Sequence, residues 1–301
     1  MNTILGAHMS ISGGIYKAVE SAQAVGCQCV QIFTKNSNQW RGKTLTQKDI
    51  DLFQDALGRC GVSHPISHDS YLINLGAPAD ELWEKSIAAF EDELIRADAL
   101  GIPYVVTHPG SYTTSSPQAG LDRIVEGLKR VLEHTDGIKT RCLLENTAGQ
   151  GTNLGFELEH LAYIMENVEG VKPTATAGDD FRLGVCFDTC HAFAAGYDFT
   201  TEEKYADMMA HFSEIIGLHR FRAFHINDAT KDLGSRVDRH AHIGYGKIGL
   251  EAFRLLLNDA RFADVPKYLE TPKGTQKNEE TDTEEDWDIV NLRTLRGLIT
   301  G

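Results

Sequence analysis

Short apolar runs alternate with longer amphipathic stretches along nearly the whole chain. Runs at Ile4–His8, Gln28–Phe33, Val62–His68, Ile102–His108, Arg141–Glu145, Leu183–Asp188, Arg222–His225 and Lys267–Glu270 have the length and residue types of buried strands. The stretches between them place apolar residues at helical spacing. Ala18, Ala22 and Val25 share one face of the first, and Leu52, Phe53, Ala56 and Leu57 mark the second. Helices are predicted from Gly14 to about Val25, then over Thr46–Cys60, Asp80–Leu100, Pro117–Glu133, Phe156–Val168, Thr201–Gly217, Leu250–Ala260 and Glu284–Leu298. Thr201, followed by Glu202 and Glu203, has the residue types of a helix start, and Pro109-Gly110 terminates the fourth strand. Glu169–Asp180, rich in Gly, Pro, Thr and Asp, reads as an exposed insertion, and 283–301 as a closing helix and tail.

Eight strand–helix units without a sequence repeat imply a parallel sheet in the α/β class. Eight such units close into a (β/α)8, or TIM, barrel, here a single domain over 1–301. An open doubly wound sheet is the alternative, but no GxGxxG follows the first strand. Active sites in such barrels sit at the carboxyl ends of the strands. The last residues of the eight runs are His8, Phe33, His68, His108, Glu145, Asp188, His225 and Glu270. Any one of the polar residues could be a satisfied strand end. Seven converging on one mouth would be costly to bury unless they bind something. His191, three residues after Asp188, and Asp238 and His240 in the long seventh loop add a second cluster.

With His8 set aside, these are five imidazoles, two aspartates and two glutamates, with no thiolate. Such a set suits catalytic zinc or manganese, and it is large enough for two or three ions. Paired ions of this kind are suited to hydrolysing a phosphodiester. Two glycine loops fit a phosphate-bearing substrate. Gly149-Gln150-Gly151 would let backbone approach a ligand, and Ile243-Gly244-Tyr245-Gly246-Lys247 brings amides and one cation to a helix start, a candidate anion site.

Composition sets the surroundings. With 301 residues, 42% of them hydrophobic, a sizeable core is available. No apolar run approaches the roughly 18 residues of a membrane span, and no signal-peptide pattern opens the chain, so a bacterial cytoplasmic protein, monomeric at this size, is expected. The six cysteines form no CxxC pair and are expected to be reduced core thiols. The formal charge of −14 argues by itself against a polyanionic partner, unless bound divalent ions invert the field locally. Part of the acidity, at Glu279–Asp288, reads as solvated surface.

The chain resembles the endonuclease IV family of metal-dependent AP endonucleases, which act in base excision repair. The likeness is carried in order by Gly-Ala-His at 6–8, Phe-Thr-Lys-Asn at 33–36, His-Asp-Ser-Tyr-Leu-Ile-Asn-Leu at 68–75, Thr-His-Pro-Gly-Ser at 107–111 and Leu-Glu-Asn-Thr-Ala-Gly-Gln-Gly at 144–151. It continues through Phe-Asp-Thr-Cys-His-Ala-Phe-Ala-Ala-Gly-Tyr-Asp at 187–198, His-Ile-Asn-Asp at 225–228, Asp-Arg-His at 238–240 and Leu-Glu-Thr-Pro at 269–272. The resemblance implies three zinc ions: one on His68, His108 and Glu145, a second on Glu145, Asp188, His225 and Glu270, and a third on His191, Asp238 and His240. It implies hydrolysis of the phosphodiester 5′ to an abasic site in duplex DNA, leaving a 3′-hydroxyl, with Glu145 and Glu270 catalytic and Glu270 activating the attacking hydroxide. Trimming of blocked 3′ ends is implied as well. His8 would support the ligands. Tyr71 and Leu72 match residues that enter the DNA, and Lys247 would contact it. Two positions depart from the family pattern: Asn38 stands where an inserted Arg is expected, and Tyr245 where a Glu is expected. Two other readings compete. One is a metal-dependent sugar isomerase or epimerase on a related barrel, for which a third ion has no obvious task. The other is a protein that binds abasic sites without cutting them.

Overall fold

The computed structural model describes residues 3–175, 181–278 and 282–300. Eight parallel strands form a closed barrel: β1 (Leu5–His8), β2 (Cys29–Phe33), β3 (Ser63–His68), β4 (Tyr104–Thr107), β5 (Arg141–Glu145), β6 (Leu183–Asp188), β7 (Phe221–His225) and β8 (Lys267–Leu269). Each pairs with its neighbours in sequence, and β1 closes the ring by pairing with both β2 and β8. The helices are α1 (Ile15–Ala24), α2 (Gln47–Cys60), α3 (Asp80–Ala99), α4 (Pro117–His134), α5 (Leu158–Glu169), α6 (Thr189–Ala195), α7 (Glu202–Ile215), α8 (Leu250–Leu257) and α9 (Trp287–Gly297). Their starts follow local chemistry. Thr46 and Asp49 form a capping box on α2, Ser116 accepts from Ala119 N ahead of Pro117, and Thr201 accepts from Lys204 N as expected.

Side chains on a strand alternate between two faces. Residues such as Val105, Leu144, Val185 and Phe224 face outward and join the main core beneath the helices. Cys29, Ile66, Val106, Leu143, Cys186, Ala223 and Tyr268 face inward and fill the barrel as a separate apolar layer. β1 contributes Gly6 at this level, because a Cβ there would lie 1.9 Å from the Cys29 carbonyl oxygen. Two residues further along each strand, the inward positions are His8, Gln31, His68, His108, Glu145, Asp188, His225 and Glu270. One period-2 pattern therefore builds an apolar plug and, directly above it, a polar ring.

The structure corrects several expectations. The closing helix does not begin at Glu284: Thr283–Asp286 is a strand paired antiparallel with Thr275–Asn278, and α9 starts at Trp287 under an Asp286 cap. A helix not foreseen, α6, begins directly after β6, because the Asp188 carboxylate accepts from His191 N and caps it. The expected exposed insertion is structural at its near end. Glu169 caps the Arg182 and Leu183 amides and pairs with buried Arg220, and Pro173 is buried; the rest of that segment, 176–180, lies outside the described residues. Within the acidic run, Asp288 is likewise not solvated: it is buried and accepts from Lys273 at 2.6 Å, whereas 279–281 lies outside the described residues. The six cysteines are free thiols, and all but Cys60 are buried.

Candidate metal centre

The nine residues expected at the mouth come together there in three sets. His68, His108 and Glu145 form one, Glu145, Asp188, His225 and Glu270 a second, and His191, Asp238 and His240 a third. A further grouping places buried Cys190 near Asp188 and His240. Burial pushes the Cys190 thiol up, which keeps it protonated.

Glu145 is the junction. Its Oε2 lies 3.1 Å from His68 Nε2 and 3.3 Å from His108 Nε2. Its Oε1 lies 2.9 Å from His225 Nδ1 and 3.1 Å from His191 Nδ1. Glu270 Oε2 approaches His225 Nδ1 at 3.3 Å. In the third set, Asp238 lies 3.2 Å from His191 Nε2 and 3.5 Å from His240 Nε2.

Surrounding residues orient the set. Backbone carbonyls of Asp69, Asn146 and Glu270 hold Nδ1 of His68, His191 and His240, which turns each Nε2 inward. Asn227 donates to Asp188 Oδ2 and accepts from the Glu270 backbone amide, both at 2.7 Å, so one amide side chain fixes the Asp188 carboxylate and the backbone that carries Glu270. Asn146 makes a reciprocal pair with the Asp188 backbone.

The electrostatics call for positive charge. Burial alone would lower His68, His191 and His225, yet the acidic groups around them hold all three well above the usual imidazole range. Burial would raise Glu145, but His225 and His108 hold it well below the carboxylate range. Burial would raise Asp238 too, but the His191 ring facing it brings it down to about 2. Protons thus stand where cations would neutralise four clustered carboxylates. His191 Nε2 and His240 Nε2 are buried without a hydrogen bond although both face Asp238. Hard carboxylates, oriented imidazoles and bare ring nitrogens together fit divalent ions such as zinc.

The remaining expected residues occupy the rim. A cleft of about 460 Å³ is lined by His8, Phe33, His68, Tyr71, His108, His191, Asp238, His240 and Glu270, among others. Tyr71 is 70% exposed, and its ring meets Phe33 edge-on at 5.4 Å. Ser70 Oγ donates to the Ser37 carbonyl at 2.6 Å, tying the Tyr71–Leu72 loop to the loop carrying exposed Asn38. Lys247 is exposed, 4.0 Å from Asp232. Tyr245 is 65% exposed and stands edge-on to Trp287 at 5.2 Å. Lys35 is buried, with its amine against Glu93 at 2.7 Å and Asp92 at 3.1 Å.

The anion site expected in the seventh loop is not free. The amides of Gly244, Gly246 and Ile248 all donate to the buried Asp228 carboxylate at 3.0 Å. Those of Tyr245 and Lys247 donate to backbone carbonyls. The loop therefore presents side chains, not amides. The Gly149–Gly151 loop also has an internal role: Gln150 accepts from the Asp238 amide at 3.0 Å, and a Cβ at Gly149 would meet the Phe156 ring.

Gln31 also belongs to this ring, with hydrogen bonds to His8, His225 and Glu270, although its apolar run ends on Phe33, one layer higher on the same face. The signal for it in the sequence is its place two residues on from the apolar layer, as on every other strand.

Barrel and mouth define the class first: residues 19–292 match the Xylose isomerase-like TIM barrel family. Within it, the chain is 51% identical over 99% of its length to the whole of a protein from Trichlorobacter lovleyi named probable endonuclease 4, and 50% identical over 99% to one of that name from Geobacter sulfurreducens, covering 95% of it. Its structure superposes on endonuclease IV from Thermus thermophilus with a TM-score of 0.81 at 38% identity, covering 98% of each chain. The chain belongs to the endonuclease IV family. A D-tagatose 3-epimerase-like protein also aligns, with a TM-score of 0.66 at 18% identity over 97% of this chain and 96% of its own, and that likeness shows the barrel alone.

Proposed function

We propose that the protein is an AP endonuclease of DNA repair that hydrolyses the phosphodiester 5′ to an abasic site in duplex DNA, leaves a 3′-hydroxyl, and trims blocked 3′ ends. The observation that carries this is the junction of three ligand sets at one mouth, in a chain half identical to proteins named endonuclease 4. His68, His108 and Glu145 would hold one ion, Glu145, Asp188, His225 and Glu270 a second, and His191, Asp238 and His240 a third. Bound zinc would activate water and neutralise charge on the phosphate.

The two glutamates have different tasks. Glu145 is fully buried with both oxygens against imidazoles, so it can bridge sets but cannot reach a substrate. Glu270 lines the cleft; burial would raise it, but the His225 ring beside it keeps it ionised well below the carboxylate range. It can therefore accept a hydrogen bond from an incoming water and aim it at phosphorus. Tyr71, backed by Phe33, and Leu72 would enter the duplex and fill the space of the missing base. Lys247 and Asn38 lie on loops that would flank the phosphate backbone.

A nicking assay on duplex DNA carrying one abasic analogue tests this. Cleavage 5′ to the lesion, lost on prolonged chelation and restored by zinc, is expected. Fully metallated protein that binds the duplex without cutting it, or that leaves it alone and epimerises sugars, would replace this reading.

A further inference from the structure

One of the oriented rings faces the other way. His68, His191 and His240 give Nδ1 to backbone carbonyls at 3.0, 2.9 and 3.1 Å and turn Nε2 inward. His225 instead turns Nδ1 inward, 2.9 Å from Glu145 Oε1 and 3.3 Å from Glu270 Oε2. Its outward nitrogen, Nε2, lies 2.7 Å from the side-chain oxygen of Gln31. Gln31 is fully buried on β2. Its amide nitrogen lies 2.5 Å from Glu270 Oε1 and 2.9 Å from His8 Nδ1.

The donor and acceptor roles follow. An ionised carboxylate only accepts, so the amide nitrogen of Gln31 must face Glu270. The amide oxygen then faces His225 and only accepts, so His225 Nε2 carries the hydrogen. That leaves the Nδ1 lone pair for the cluster. The second amide hydrogen goes to His8 Nδ1, so His8 completes the chain as an acceptor. A backbone carbonyl does this work for the other three rings; here a replaceable side chain does it, and the same side chain pins Glu270 by one oxygen.

We infer that Gln31 is a positioning residue for the Glu145–Asp188–His225–Glu270 set, holding His225 in its Nε2–H form and leaving His225 Nδ1 and Glu270 Oε2 to one cation. The inference rests on the metal-site reading but not on DNA cleavage. No contact joins Gln31 to His68, His108, His191, Asp238 or His240 among its hydrogen bonds within the described residues, so its effect is confined to one set.

The test is zinc binding by the full chain, measured by competition with a chromophoric chelator, for wild type, Gln31→Leu and Gln31→Glu. Gln31→Leu is expected to weaken one class of site by about 10- to 100-fold and leave the others unchanged. Gln31→Glu keeps size and polarity but cannot donate to Glu270, and is expected to weaken the same class. Ring nitrogen-15 spectra of the zinc-loaded protein should show His225 protonated at Nε2 in wild type and a mixture of forms in Gln31→Leu. Wild-type affinities at every site in both variants, uniform weakening of all sites, or an unchanged His225 spectrum would overturn the inference. Wild type that takes up no zinc would overturn it together with the metal reading. Zinc uptake without DNA nicking would sink the nuclease reading and leave this one standing.

Discussion

Inside the barrel, two layers differ completely in chemistry although the same eight strands build both. The lower one, Cys29, Ile66, Val106, Leu143, Cys186, Ala223 and Tyr268, is apolar and sealed. The upper one, two residues further on, gathers imidazoles, carboxylates and one amide. The lower layer needs only volume, and its groups are satisfied by contact. The upper layer needs direction, because a buried polar atom that is not left free for a ligand must find a partner. That partner is a carbonyl, Asn146, Asn227 or Gln31. The apolar plug beneath closes the ligands off from water on that side, which strengthens the interactions among the buried ones.

Breaking the upper layer at its junction should have the largest effect. Glu145→Gln removes the charge shared by two sets and is expected to lower abasic-site cleavage by about 10³-fold, comparable to losing a key charge-stabilising group. Single-turnover nicking measures it. Leu143→Ala, one layer down on the same strand, is the matched control. It should reduce stability by about 2–5 kcal/mol in denaturant unfolding, with the turnover of the folded fraction kept. Similar cleavage losses in the two variants would erase the distinction between the layers.

The layers also separate by pH. His68, His191 and His225 have raised values in the fold, against 6.5 ordinarily, so the stability they provide is full below about 6.5 and is lost as pH rises through the raised values. Metal-free protein should therefore melt at lower temperature as pH climbs from about 6.5 toward 9, whereas zinc, in place of those protons, should flatten the trend. Parallel thermal melts of the two forms decide this, and equal slopes would count against it.

Smaller effects belong to the rim. Tyr71→Ala should weaken binding of abasic duplex by about 1–3 kcal/mol, the range for loss of one aromatic stacking contact, with stability unchanged within about 0.5 kcal/mol. Asn38→Arg should tighten binding a few-fold and steepen its salt dependence by about one counterion. A change in stability with no change in affinity would remove these residues from the DNA face.

By itself the sequence determined the barrel and nearly all of the mouth. Strand and helix periods are local, and His, Asp and Glu at the ends of apolar runs stand out because such groups are rarely buried without purpose. Tertiary structure decided the rest. Gln31 reads as an ordinary strand residue until closure of β1 on β8 sets it beside Glu270 and His225, groups more than 190 positions away. The amides of the Gly244–Ile248 loop look free until Asp228 is folded beneath them. Asp286 and Asp288 read as solvated acid until one caps α9 and the other is buried against Lys273. Apart from the local Asp286 cap, the deciding partner is distant in sequence, and a long-range hydrogen bond has no periodicity by which a chain could announce it.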